Sequence, residues 1–184
     1  MRLVPLLVAL AFTVMVETRA AAQLVMSTTP GAAYSVEVWI GDEATVRSIE
    51  GALRDRPRPQ DARGQALLRD QDGRAFVLLT DWPSAEAASG SEASPYFAAA
   101  NVYWRRAFSV TGGSIQPGAA FALAPGVAVQ WSEFLMRDPA KLEEFAEMVG
   151  PITDGMVAGG ASTLRGIARM HATNGLSLGL LGLW

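Results

Sequence analysis

The sequence predicts an α+β fold built from two copies of one strand–helix–hairpin unit, and three observations carry that prediction. Arg63 to Trp82 (RGQALLRDQDGRAFVLLTDW) and Arg165 to Trp184 (RGIARMHATNGLSLGLLGLW) align without a gap, 102 positions apart at both ends (63 to 165, 82 to 184). Both copies place a turn dipeptide, Asp72-Gly73 or Asn174-Gly175, between two apolar runs, the signature of a tight hairpin whose Gly takes positive φ. Upstream of each hairpin the apolar positions match at an offset of 96: Val46 with Leu142, Ile49 with Phe145 and Leu53 with Val149. A repeat of this length implies one structural unit used twice.

The chain has 184 residues, half of them hydrophobic, enough for one substantial core or two small fused ones. Fifteen basic and 18 acidic residues are evenly mixed, which leaves no electrostatic footprint for nucleic acid. The absence of Cys excludes disulfides, thiolate metal sites and cysteine nucleophiles, and a single His171 excludes a multi-histidine metal centre.

Residues 1–22 read as a signal peptide. Arg2 precedes the apolar run Leu3 to Val16, and Ala20-Ala21-Ala22 offers small residues at a cleavage site before Gln23. The run is too short for a bilayer-spanning helix of ~20 residues. The expectation is therefore a secreted or periplasmic protein with no stable membrane span after processing. The alternative is a buried N-terminal helix.

Residues 23–33 read as a linker. Tyr34 to Ile40 alternates as a strand, with Tyr34, Val36, Val38 and Ile40 on one face and Ser35, Glu37 and Trp39 on the other. Asp42 can cap a helix whose stripe is Val46, Ile49 and Leu53, and the prolines after Arg54 end it. After the first hairpin, Ser84 opens an Ala-rich helical region over 84–107, interrupted near Gly90 to Pro95. A Gly-rich connection over 111–118 and a short strand at Ala119 to Ala124 complete a first unit, 34–124. Its order, β-α-β-β-α-β, is ferredoxin-like. The second unit, 127–184, opens with a strand from Val127 to Met136. Asp138-Pro139 then starts a helix whose predicted buried face is Leu142, Phe145, Val149, Ile152 and Met156. It ends at the second hairpin, without the last helix and strand of the first unit. An uncovered sheet edge or face favours association, so the expectation is a homo-oligomer or, alternatively, a shortened reading frame.

The pattern Trp82-Pro83-Ser84 followed by Ser94-Pro95-Tyr96-Phe97 resembles the antibiotic biosynthesis monooxygenase family, within the dimeric α+β barrel superfamily. The resemblance covers about 34–124, with a weaker, incomplete repeat in 127–184. It implies a pocket between sheet and helices for a small apolar or aromatic ligand, used for cofactor-free oxidation or for haem degradation. Haem-degrading members use an Asn on the first strand, a Trp ending the third strand and a His in the second helix. Trp82 matches that Trp, but the His position falls on Asn101 and the first strand offers Glu37. The expectation is therefore no haem, metal or other cofactor.

The candidate catalytic residues are Glu37, Asn101 and Trp82. Strand alternation puts Glu37 beside Trp39, and at the offset of 96 Glu133 matches Glu37 and lies beside Trp131. A carboxylate desolvated between aromatic rings gains basicity toward a phenol. The plainer alternative is that Glu37 and Glu133 form structural ion pairs with Arg63 and Arg165. If the resemblance holds, Tyr96, Asn101 and Tyr103 lie on a pocket-facing helix. Trp39, Tyr96, Tyr103, Trp131, Glu133 and His171 complete the expected substrate-binding set, with Trp82 and His171 equally readable as packing residues. A non-catalytic binding or assembly module on the same fold is the alternative function.

Overall fold

In the computed structural model the described residues are 9–15, 24–54, 58–70, 72–91, 102–124, 126–159 and 163–184. They form ten strands and three helices in the order β1 (Ala9–Met15), β2 (Leu24–Val25), β3 (Ala33–Ile40), α1 (Glu43–Arg54), β4 (Gly64–Arg69), β5 (Ala75–Trp82), α2 (Ala85–Gly90), β6 (Val102–Ile115), β7 (Ala122–Leu123), β8 (Ala128–Leu135), α3 (Pro139–Ala158), β9 (Gly166–Ala172) and β10 (Ser177–Leu183). Eight strands make one antiparallel sheet in the order β1-β8-β10-β9-β6-β3-β5-β4, and β2 pairs with β7 as a small separate ribbon. The sheet curls until its two end strands, β1 and β4, approach one another.

Alternation along each strand divides the side chains between the inside of the curl and an outer face covered by helices. Tyr34, Val36, Val38, Val77, Leu79, Phe108, Val129, Trp131, Met170, Leu181 and Leu183 fill the inside. Outside, α1 lays Val46, Ile49 and Leu53 on Trp39, Phe76 and Leu78. Each such fully buried aliphatic side chain contributes about 1.5–3 kcal/mol. The expected caps are present: Asp42 Oδ1 accepts from Thr45 N at 2.8 Å, Ser84 Oγ from Ala87 N at 3.1 Å and Asp138 Oδ1 from Ala140 N at 3.0 Å. Gly73 and Gly175 turn their hairpins at φ of 67° and 70°.

The two halves of the sheet share one strand order. Read in one direction across the sheet, β6-β3-β5-β4 places the strand before α1, β3, next to the second hairpin strand, β5. The other half, β1-β8-β10-β9, likewise sets β8 beside β10. The place that β6 occupies beside β3 is filled beside β8 by β1, with Ala9 opposite Phe134 and Met15 opposite Ala128. The strand expected to be missing from the second unit is thus supplied by the segment that reads as a leader.

Several expected boundaries move. The region 84–107 is not helical throughout: α2 stops at Gly90, and β6 carries Tyr103 and Trp104 as strand residues. The stretch from Val102 to Ser109, with Tyr103, Trp104 and Phe108, pairs along β3, and that pairing overrides local helix propensity. Gly112 and Gly113 lie within β6 rather than in a connection. A bulge falls between Val110 and Gly112, and a Cβ at Gly113 would stand 2.3 Å from the Ile167 carbonyl oxygen. Of the strand expected at 119–124 only Ala122–Leu123 forms, and the stretch 23–33 holds β2 and buries Leu24 and Met26. On α3 the buried residues are Leu142, Val149, Thr153 and Val157, while Ile152 and Met156 are exposed. The helix turns a stripe spaced by sevens and fours toward the sheet, and the two expected residues fall outside it.

Candidate functional site

A cleft of about 450 Å³ opens on the outer face of the first half, between the sheet, α2 and the loop at 58–61. Its sheet wall is Glu37 from β3, Gln65 from β4, and Thr80 and Trp82 from β5; Gln60 and Asp61 line the loop side and Ser91 the end of α2. The local sequence explains this wall. Thr80 and Trp82 are two apart on β5 and share a face, Gln65 is the registered partner of Thr80, and Glu37 sits opposite Leu78 on the same face.

Each wall residue is held. Trp82 is buried among Ala33, Ala62, Ala88 and Ala107, and its Nε1 donates to Ser35 Oγ at 2.9 Å. Gln65 Nε2 donates to Thr80 Oγ1 at 2.9 Å. Glu37, only 6% exposed, accepts from the Tyr103 hydroxyl at 3.1 Å, so the phenol fixes the carboxylate from the far side. Trp39 lies behind, with its ring 4.8 Å from Phe76 and 5.2 Å from Tyr103.

Among the described residues the cations near the cleft are committed elsewhere. Arg63 donates to Asp81 Oδ1 at 2.7 Å and to the Trp82 carbonyl, and Arg58 Nη1 donates to the Arg63 carbonyl at 2.7 Å. Arg105, registered opposite Glu37, reaches the end of α2, where it donates to the Ala88 carbonyl at 2.6 Å and to Ser91 Oγ.

The sequence-predicted site is therefore split. Glu37 and Trp82 meet in the cleft, with Tyr103 and Trp39 directly behind Glu37. Tyr96 and Asn101 lie outside the described residues. Glu133 and Trp131 are on the opposite face, inside the curl. The register explains the correction: Ala33 pairs with Trp82, and Ala128 accepts from the backbone N of Trp184, so β3 and β8 correspond at an offset of 95 (33 to 128) and Glu37 corresponds to Ser132. A shift of one residue reverses a strand's faces.

Glu133 is 2% exposed; its Oε2 accepts from Trp104 Nε1 at 3.0 Å and from Arg106 Nη1 at 3.1 Å. Its Oε1 lies 2.9 Å from the same guanidinium nitrogen without hydrogen-bond alignment. Because β6 and β8 are separated by β9 and β10 in the sheet, this ion pair spans the inside of the curl. Trp131 packs edge-on to Phe108 at 5.3 Å, and a Cβ at Gly179 would stand 2.4 Å from its ring. Among the described residues the ion pairs differ from those expected: Glu133 joins Arg106, and Arg63 joins Asp81.

His171 belongs to a different place, a cleft of about 590 Å³ beneath α3 shared with Glu143, Asp154 and Arg169. Its Nδ1 is 3.4 Å from Glu143 Oε1. There the Arg169 and Ser114 side chains donate to Asp154 and hold its carboxyl below the usual carboxylate range. Among the described residues no group of three potential metal ligands is assembled, and no helix is long and apolar enough to cross a membrane.

Gln65, Thr80 and Asp61 were not singled out by sequence reasoning. The signal for the first two was present, since hairpin alternation puts both on the face of Trp82. Asp61 had none, because the fold of its loop sets its place.

No protein-family model matches the sequence, and neither does any curated protein. In three dimensions the chain is similar to the crystal structure of a candidate monooxygenase from Fusobacterium nucleatum, at 12% identity and a TM-score of 0.52, over 84% of this chain and 76% of that one. At that identity the likeness shows the fold alone, a mixed α+β arrangement with a curled antiparallel sheet.

Proposed function

We propose that the cleft over the first half binds a small aromatic molecule and that the protein is a cofactor-independent, monooxygenase-like enzyme acting on a phenolic or quinone-like substrate. One observation carries this reading: a carboxylate and an indole, Glu37 and Trp82, face the same sheet-and-helix cleft. In the proposed reaction Glu37 takes the phenolic proton, and the electron-rich phenolate reacts with dioxygen. One oxygen atom forms the new ring C–O bond and the other leaves as water. The ring gives up four electrons and becomes a quinone. The Tyr103 hydroxyl orients the Glu37 carboxylate through its 3.1 Å hydrogen bond.

Oxygen uptake with a panel of phenols, in the presence of a chelator, tests the proposal. Glu37→Gln should abolish uptake while p-cresol still binds. Unchanged uptake in a folded Glu37→Gln protein overturns it. The second reading is a binding module without catalysis, favoured by the deep burial of Glu37; retained p-cresol binding with no uptake in the unaltered protein supports it.

The finer assignments rest on sequence. The Trp82-Pro83-Ser84 and Ser94-Pro95-Tyr96-Phe97 motifs support membership of the antibiotic biosynthesis monooxygenase family. The matched hairpins support a duplication of a ferredoxin-like unit, with 34–124 and 127–184 as the two copies. The pattern of residues 1–22 supports export and cleavage before Gln23. Cleavage there would remove β1 and uncover the outer edge of β8, which is the proposed basis of a homo-oligomer. Sequencing the N-terminus of protein recovered from the exported fraction checks this; a start before Ala9 contradicts it.

A further inference from the structure

The charges around the cleft carry an inference about what it admits, one that rests on the reading of this cleft as a binding site. Among the described residues that line it, the two ionisable ones are both acidic: Glu37 on the sheet wall and Asp61 on the exposed loop. The remaining polar lining, Gln60, Gln65, Thr80 and Ser91, is neutral. A cleft with this lining could still accept an anion if a nearby guanidinium turned toward it. Among the described residues the three that are near do other work: Arg63 closes on Asp81 and the Trp82 carbonyl, Arg58 on the Arg63 carbonyl, and Arg105 on the Ala88 carbonyl and Ser91. Swinging the Arg105 guanidinium toward a ligand would give up both of its bonds to the end of α2.

We infer that the cleft selects phenols that are neutral or carry a cationic amine and disfavours those bearing a carboxylate or phosphate, with Asp61 as the residue that reads the charge. The division of labour follows from position. Glu37 is nearly buried and already hydrogen-bonded to Tyr103, so it meets the ligand's hydroxyl end. Asp61 is exposed on the loop side and meets whatever extends from the ring toward solvent. A charge there is screened by salt, so its effect is on selectivity rather than on the existence of binding.

The test compares three probes of one ring shape by isothermal titration at low ionic strength: p-cresol (neutral), tyramine (cationic) and 4-hydroxyphenylacetate (anionic). Tyramine should bind at least about threefold tighter than p-cresol, and 4-hydroxyphenylacetate at least about threefold weaker, both differences shrinking as salt is raised. Asp61→Asn should remove most of the advantage of tyramine over p-cresol; Asp61 lies on an exposed loop, so the fold is retained. Binding of 4-hydroxyphenylacetate as tight as tyramine, or an unaltered preference in Asp61→Asn, overturns the inference while leaving the cleft a binding site. If none of the three binds, the reading of the cleft itself fails along with it.

Discussion

The two halves of the curled sheet are built on one strand order, yet the cleft that the first opens beside Glu37 and Trp82 has no counterpart at the corresponding strand positions of the second, whose own cleft lies elsewhere, beneath α3. Register puts Ser132, Ile167, Gly182 and Trp184 in the second half where Glu37, Gln65, Thr80 and Trp82 stand in the first. Ile167 packs with Val157, Leu164 and Trp184 into an apolar cluster under α3. At Gly182 an added Cβ would meet Leu164 at 3.3 Å and Trp184 at 3.4 Å, so that place is already filled. The first half leaves open what the second half packs shut. A shared frame therefore does not imply a shared site; four side chains decide whether a space opens between sheet and helix.

Substitutions can break this comparison, beginning with the largest effect. Trp82→Ala should cost about 3–5 kcal/mol, since it empties a buried indole site and strands the Ser35 hydroxyl. Trp184→Ala should cost visibly less, because its indole is only partly buried. Urea denaturation of the two variants measures the gap, and equal losses would mean that the halves are not packed as described. Arg106→Ala should cost about 3 kcal/mol, because it leaves Glu133 buried inside the curl without its cation. Glu37→Gln, at the corresponding level of the other face, should cost under about 1 kcal/mol and retain a folded protein. Near-equal losses from these two would show that Glu37 is a structural ion partner after all.

The smallest effect depends on pH. Arg169 and Ser114 lower the folded pKa of Asp154, so the contribution of this group is complete above the ordinary carboxylate pKa near 4 and is lost as pH falls through the lowered folded value. Asp154 is half-exposed, which limits the contribution to less than about 1 kcal/mol. Denaturation of Asp154→Asn at pH 3 and pH 7 should show a smaller deficit at pH 3 than at pH 7. A deficit of the same size at both would remove the charge from the explanation.

Much of the fold was legible because local chemistry and the global arrangement agree. The two Gly turns, the caps at Asp42, Ser84 and Asp138, and the α1 stripe all formed where residue type and spacing place them. What sequence could not supply was non-local. The strand character of Tyr103 and Trp104 comes from pairing with β3, some 65 residues away in the chain (103 to 39, 104 to 38), and not from their Ala-rich neighbourhood. The use of Ala9–Met15 as a partner for β8 depends on a position that the second half leaves vacant. The site suffered most from one residue of register. An offset of 96, taken from the helices, pairs Glu37 with Glu133, whereas the strands correspond at 95 and set the two carboxylates on opposite faces. Helix and strand alignments in a repeat can slip independently, and a strand punishes the slip by reversing every side chain.

We propose that a small-molecule ligand binds in the cleft of the first half, with Glu37 and Trp82 in its wall, and not in the cleft beneath α3. Stoichiometry tests it most directly: p-cresol titrated into the protein and into Gln65→Trp, a substitution that fills the cleft from a partly exposed position. The account predicts one ligand per chain and its loss in Gln65→Trp, with the variant still folded. Two ligands per chain, or undiminished binding in the filled variant, would contradict it.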